Sequence, residues 1–175
     1  MTKMLSTGAL VILLGAATLV AQSAQNPYSA MVTGGWNTLK KNLSASAAKM
    51  TESDYAFKPT PQVRSFGQII GHLANEHYSI CAGAKGEKSP STADFEKVTS
   101  KAELVAALDK SIAYCDGVYT SVTDASGTQP VEVFGEKMMR LGALQLNLTH
   151  SSEHYGNLVT YMRLKGVVPP SSTGQ

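Results

Sequence analysis

The chain has 175 residues, 43% of them apolar and only 16% charged, with a formal net charge of +2. That length supports one domain with a real hydrophobic core and leaves no room for two. With no basic block in so nearly balanced a sequence, nucleic-acid binding driven by phosphate neutralisation is excluded as the organising function.

The N-terminus has the form of an export signal. A short basic start at Lys3 precedes an apolar run from Ala9 to Ala21, then the small residues of Ala21-Gln22-Ser23-Ala24. The run is short for a membrane span, which needs about 20 residues, so residues 1 to about 24 are expected to be a cleaved leader, with the mature domain from residue 25 to 175 in the periplasm and no stable membrane span. Cleavage after Ser23 satisfies the small-x-small rule better than cleavage after Ala24, which leaves the position uncertain by a residue or two.

From Pro27 the residues Tyr28, Val32, Trp36, Leu39, Leu43, Ala47 and Met50 recur at spacings of three and four, predicting a first helix with one buried stripe. Pro27 suits the first helical position, while Gly34-Gly35 weakens the run, at about 1 kcal/mol per Gly against Ala. Residues 51–64 carry two prolines and read as a loop. A second helix is predicted from Ser65, where Ser65-x-x-Gln68 has the form of a capping box, to Gly83 or Gly86, with Phe66, Ile69, Ile70, Leu73, His77, Ile80 and Cys81 on its stripe.

The polar stretch 85–99 is a long connection. Ser100-x-x-Glu103 is a second capping box opening a third helix, whose stripe holds Leu104, Leu108, Ile112, Cys115 and Tyr119. Val131 to Phe134 alternates like a short extended piece. A fourth helix is predicted from about Lys137 to Lys165, ended by Gly166 in a left-handed cap and by Pro169-Pro170.

Four amphipathic helices with almost no strand make an all-α four-helix bundle. Some 15 residues between the second and third helices reach about 50 Å when extended, so those two helices can run parallel, in up-down-down-up order. In that case Cys81 and Cys115, which stand at matching depths along them, come level and can form a disulfide; if the helices are antiparallel they remain two buried thiols. An oxidising compartment would preserve the bond.

All four histidines fall on two helices. His150 and His154 are four apart, so they stack on one face with Cβ atoms about 6 Å apart, a spacing from which two imidazoles share one ion. On the second helix His72 sits on the flank of the stripe and His77 at its centre, which makes His72 the better third ligand and His77 a core residue. The expected cofactor is one divalent ion, Zn²⁺ or Ni²⁺, with a position left open for water or a thiol. The chemistry would be metal-dependent hydrolysis or transfer on a small molecule, reached where the 124–137 loop meets the bundle mouth. Tyr155, Asn157 and Arg163 are the nearby candidates for contact.

Glu153, between the two histidines of the fourth helix, is the candidate acid or base. His150-x-x-Glu153-His154 also matches the H-x-x-E-H string of inverted zinc peptidases. No acidic residue follows Glu153 to supply their further ligand, so that reading is disfavoured. A ferritin-like di-metal bundle fails too, because the first helix carries no Asp or Glu. A non-catalytic metal-binding or stress-response bundle is the competing class, and a homodimer is compatible with either.

The pieces Arg64-Ser-Phe-Gly-Gln-Ile-Ile-Gly-His72-Leu-Ala, His150-Ser-Ser-Glu-His154-Tyr-Gly-Asn and Tyr161-Met-Arg-Leu-Lys-Gly-Val-Val-Pro-Pro170 resemble the corresponding helices of DinB/YfiT-like proteins. The resemblance implies a four-helix bundle with a histidine triad, carried by position onto His72, His150 and His154. It also implies a metal site more firmly than a reaction, since the family includes thiol-dependent transferases and isomerases whose thiols are cytoplasmic, whereas this chain reads as exported.

Overall fold

The structure is a computed structural model and describes residues 25–173; the leader expected over residues 1–24 lies outside them. Helix α1 runs Pro27–Lys49, α2 Phe66–Lys85, α3 Lys101–Ser121, the one-turn α4 Asp124–Gly127, and α5 Arg140–Leu164. A hairpin, β1 Pro130–Val133 and β2 Glu136–Met139, precedes α5. No helix among the described residues is long and apolar enough to cross a membrane.

The helix starts follow their caps. At α2 both halves of the capping box form: Gln68 N donates to Ser65 Oγ (3.2 Å) and Ser65 N to Gln68 Oε1 (2.9 Å). At α3 only Glu103 N reaches Ser100 Oγ (3.4 Å), and Lys101 N donates instead to Glu52 Oε1 (3.2 Å). The N-terminus of α1 is capped from across the sequence by Asp124, which accepts from Ser29 N (2.7 Å) and Tyr28 N (3.2 Å). Gly166 ends α5 at φ 72°.

One expectation is corrected. The fourth long helix begins at Arg140 and not near Lys137, because Glu136–Met139 pairs antiparallel with Pro130–Val133. Phe134 (φ 54°) and Gly135 (φ 81°) both take the left-handed conformation that a two-residue hairpin turn demands. Val131 and Val133 face inward while Glu132 faces out, and Val133 lies so close to α2 that only the missing Cβ of Gly83 allows the approach.

Side-chain contacts give the directions of the helices. Between α2 and α3, Cys81 meets Cys115 and His77 meets Ser111, a constant sequence separation of 34 that only parallel helices produce. Between α1 and α3, Trp36 bonds Asp116 and Ser44 bonds Asp109, so rising numbers meet falling ones and the pair is antiparallel. The same holds for α2 and α5, where Arg64 O, just before α2, accepts from Tyr161 OH and Ala84 O, near its end, accepts from Arg140 Nε. The order is therefore up-down-down-up. Cys81 and Cys115 are joined as a disulfide, their Cα atoms 5.5 Å apart and both side chains buried.

The core packs around Trp36, stacked on Tyr119 at 4.9 Å and meeting the edge of His77 at 5.1 Å. His77 is wholly buried and fully bonded. Ser111 gives its hydroxyl proton to Leu108 O (2.8 Å) and so accepts from His77 Nδ1–H (3.1 Å), while Ser151 donates to His77 Nε2 (3.1 Å). Burial, aided by the nearby His150 and His72, pulls the His77 pKa down to about 3. It is a neutral core residue.

Candidate metal centre

The antiparallel pairing of α2 and α5 brings His72 opposite one turn of α5 that carries His150 and His154. Three Nε2 atoms converge: His72 to His150 at 3.2 Å and His150 to His154 at 3.1 Å. Each of the three residues offers one ligand atom, all within 4.8 Å of one another. Nitrogens held 2.0–2.1 Å from a shared tetrahedral ion stand about 3.3–3.4 Å apart, so the spacing fits a single ion.

Protons cannot satisfy the same cluster. His72 Nδ1 donates to Glu96 Oε1 (2.8 Å), because a carboxylate only accepts, so in the neutral ring the lone pair lies on Nε2, aimed at the centre. A proton on His150 Nε2 can serve one neighbour fully but not both. Burial lowers the pKa of His150, with the charges of His72 and Arg64 adding, and lowers that of His154 to about 4, with His150, His72 and Arg64 adding. Three imidazoles whose Nε2 atoms converge are the donor set of a divalent transition ion.

The donors differ in their support. Among the described residues His150 Nδ1 and His154 Nδ1 are buried without a partner, whereas His72 is held by Glu96. Glu96 lies on a single turn, Phe95–Lys97, in the α2–α3 connection. That turn is laid directly on α2: Asn75 Oδ1 accepts from Phe95 N (3.1 Å), and a Cβ on Gly71 would fall 2.3 Å from Phe95 O. Arg64 grips the other side of Glu96, its Nε donating to Oε2 (2.9 Å) and Nη2 to Oε1 (3.4 Å). Partial burial pushes the Glu96 carboxyl upward, but the bonds from Arg64 and His72 outweigh it and leave the pKa below the usual value.

Glu96 was not singled out in the sequence because it sits in a polar connection without periodicity. The available signal was Gly71, a helix-interior glycine beside His72, which marks a close backbone approach. Glu76, one turn beyond His72, also escapes sequence reasoning; burial raises its carboxyl pKa above the ordinary value.

A cleft of about 570 Å³ opens beside His154, lined by Gln62, Arg64, Ile69, Glu153, Asn157 and Tyr161. Glu153 is exposed on this cleft and does not join the nitrogen cluster. Of the other candidates, Asn157 lines the cleft. Tyr155 is half-buried and accepts from Ser171 N, and Arg163 points away to Ser172. The expected approach through the 124–137 loop is corrected. That segment packs through Glu132 and Val133 against Gly83 at the far end of α2, 12 residues or about 18 Å from Gly71.

A helical bundle with an up-down-down-up course and a three-histidine cluster between two helices defines the class of protein. The chain belongs to the DinB superfamily, whose family model matches residues 36–158. No curated protein gives a significant match by sequence. Among solved structures it is similar to a DinB-like protein from Bacillus cereus ATCC 10987, with TM-score 0.69 at 19% identity over 79% of this chain and 93% of that one. It is also similar to YfiT from Bacillus subtilis, described as a probable metal-dependent hydrolase with an unusual four-helix bundle topology, with TM-score 0.62 at 16% identity, covering 79% and 88%. A mycothiol-dependent maleylpyruvate isomerase gives TM-score 0.62 at 12% identity over 74% of this chain and 60% of that protein. At these identities the likeness establishes the shared fold.

Proposed function

We propose that the chain is an exported metal-dependent protein that performs hydrolysis or thiol-type transfer on a small molecule, with His72, His150 and His154 as the ligands of one Zn²⁺ or Ni²⁺. The observation that carries this reading is the convergence of three Nε2 atoms beside an open cleft. A divalent ion held there supplies Lewis acidity and lowers the pKa of a water or thiol brought to it.

The chain's own residues supply the rest. Glu96 holds His72 in its Nδ1–H tautomer, Arg64 holds Glu96, and the fully bonded His77 keeps α2 and α5 in register beneath the cluster. Glu153 stands at the cleft, where a carboxylate can take or return a proton to a bound molecule. The described residues belong to the mature domain of this reading, and the leader precedes them.

Metal analysis of untagged protein from the native host is expected to find about one equivalent of ion, reduced sharply in His72→Ala and little in His77→Ala. Intact mass of the same sample is expected to show loss of about 24 residues. Ester, amide and thiol-conjugation substrates should turn over only in the loaded protein; activity surviving chelation and His154→Ala would overturn the metal mechanism. Loading without turnover on any of these substrates would favour a binding bundle.

A further inference from the structure

The geometry points to a small molecule bearing a carboxylate as the ligand of the cleft, with Arg64 as the residue that receives the anion; this deepens the metal-site reading and rests on it. Arg64 immediately precedes the N-cap of α2. Its carbonyl accepts from Tyr161 OH (2.9 Å), which fixes the backbone from which the side chain extends.

The guanidinium meets Glu96 side-on, through Nε and one Nη2 hydrogen. Of its five N–H donors, both on Nη1 and the second on Nη2 have no partner among the described residues. That end-on edge remains free to pair bidentately with a second carboxylate. The side chain is 43% exposed and lines the same cleft as His154.

Glu96 also measures the distance to the metal ligands. Its two oxygens bond Arg64 Nε at 2.9 Å and His72 Nδ1 at 2.8 Å, so those two nitrogens lie within about 8 Å of each other. A molecule with a carboxylate and a metal-seeking group a few bonds apart spans from the guanidinium edge to the histidine cluster. Glu153, exposed on the cleft, carries the sign that repels an anion, and Arg64 is the one Lys or Arg among the described residues that line it.

The test uses Co²⁺-loaded protein and two hydroxamates of matched length, followed by the visible spectrum of the ion. Succinic monohydroxamate carries the carboxylate and butyrohydroxamate replaces it with a methyl group. The wild type is expected to bind the carboxylate at least about tenfold more tightly. Arg64→Gln should bring that ratio to about one, on top of any weakening common to both hydroxamates that follows from loosening Glu96, and Arg64→Lys should retain part of the preference. Equal affinities in the wild type with Co²⁺ bound would overturn the anion subsite alone. Equal weakening of both ligands in Arg64→Gln would also overturn it, since Arg64 would then act only through Glu96. Failure of the wild type to bind Co²⁺ would overturn the metal reading, and the subsite with it.

Discussion

Replacing Gly71 by Ala probes how the connection after α2 supports the histidine cluster. The new Cβ would stand 2.3 Å from Phe95 O, 2.5 Å from Phe95 C and 2.9 Å from Glu96 N, all backbone atoms with no rotamer to yield. An ordinary carbon–oxygen contact is about 3.3–3.6 Å, so the turn must retreat by about 1 Å. Glu96 is the next residue, and the same retreat stretches its 2.8 Å bond to His72 beyond hydrogen-bond range. Overpacking costs about 1–3 kcal/mol of stability, and loss of a partner that orients a ligand costs about 10–100-fold in metal affinity. Competition against a chromophoric chelator measures the second effect and urea unfolding the first. Gly34→Ala is the control, since a Cβ there meets nothing within 4 Å and should gain up to about 1 kcal/mol in a helix interior. Wild-type metal affinity and stability in Gly71→Ala would refute the proposed support.

Two further outcomes are expected. His77 is held neutral to about pH 3 when folded but titrates near 6.5 when unfolded, so the unfolded chain binds the extra proton between those values. Stability of metal-free protein should therefore fall as pH is lowered from about 6.5 toward 3, by up to about 1.4 kcal/mol per pH unit from this residue. His77→Gln should flatten the urea-unfolding profile across that window, and an unchanged slope would refute the assignment. The Cys81–Cys115 bond closes a loop of 34 residues and should contribute about 3–4 kcal/mol. The double Cys→Ala variant should show that loss in unfolding, and alkylation of native protein should find no free thiol.

Much of the fold was legible because it obeys local rules. The stripes of α1, α2 and α3 recur at helical spacing and their buried residues match it apart from Tyr28, which is exposed, and Ser65 with Gln68 fixes where α2 begins. His150 and His154 were readable as a pair because four residues make one helical turn. The start of α5 was not: Glu136-Lys137-Met138-Met139 are all good helix formers, and what makes them a strand is the partner imposed by the Phe134-Gly135 turn. Glu96 was hidden for a related reason, since its role comes from a contact 24 residues away that no periodicity announces.

The parallel course of α2 and α3 also governs how much chain can be removed. The link between them must climb the full length of α2, about 30 Å for its 20 residues, whereas its 15 residues reach about 50 Å when extended. The slack is taken up by the detour that lays Phe95 on Gly71 and Glu96 on His72. A shortening of about five or six residues would still let the helices join and the disulfide close, but would draw the link taut and lift Glu96 away from the imidazole. The stretch whose sequence looks most dispensable is the one whose length keeps Glu96 on the candidate site.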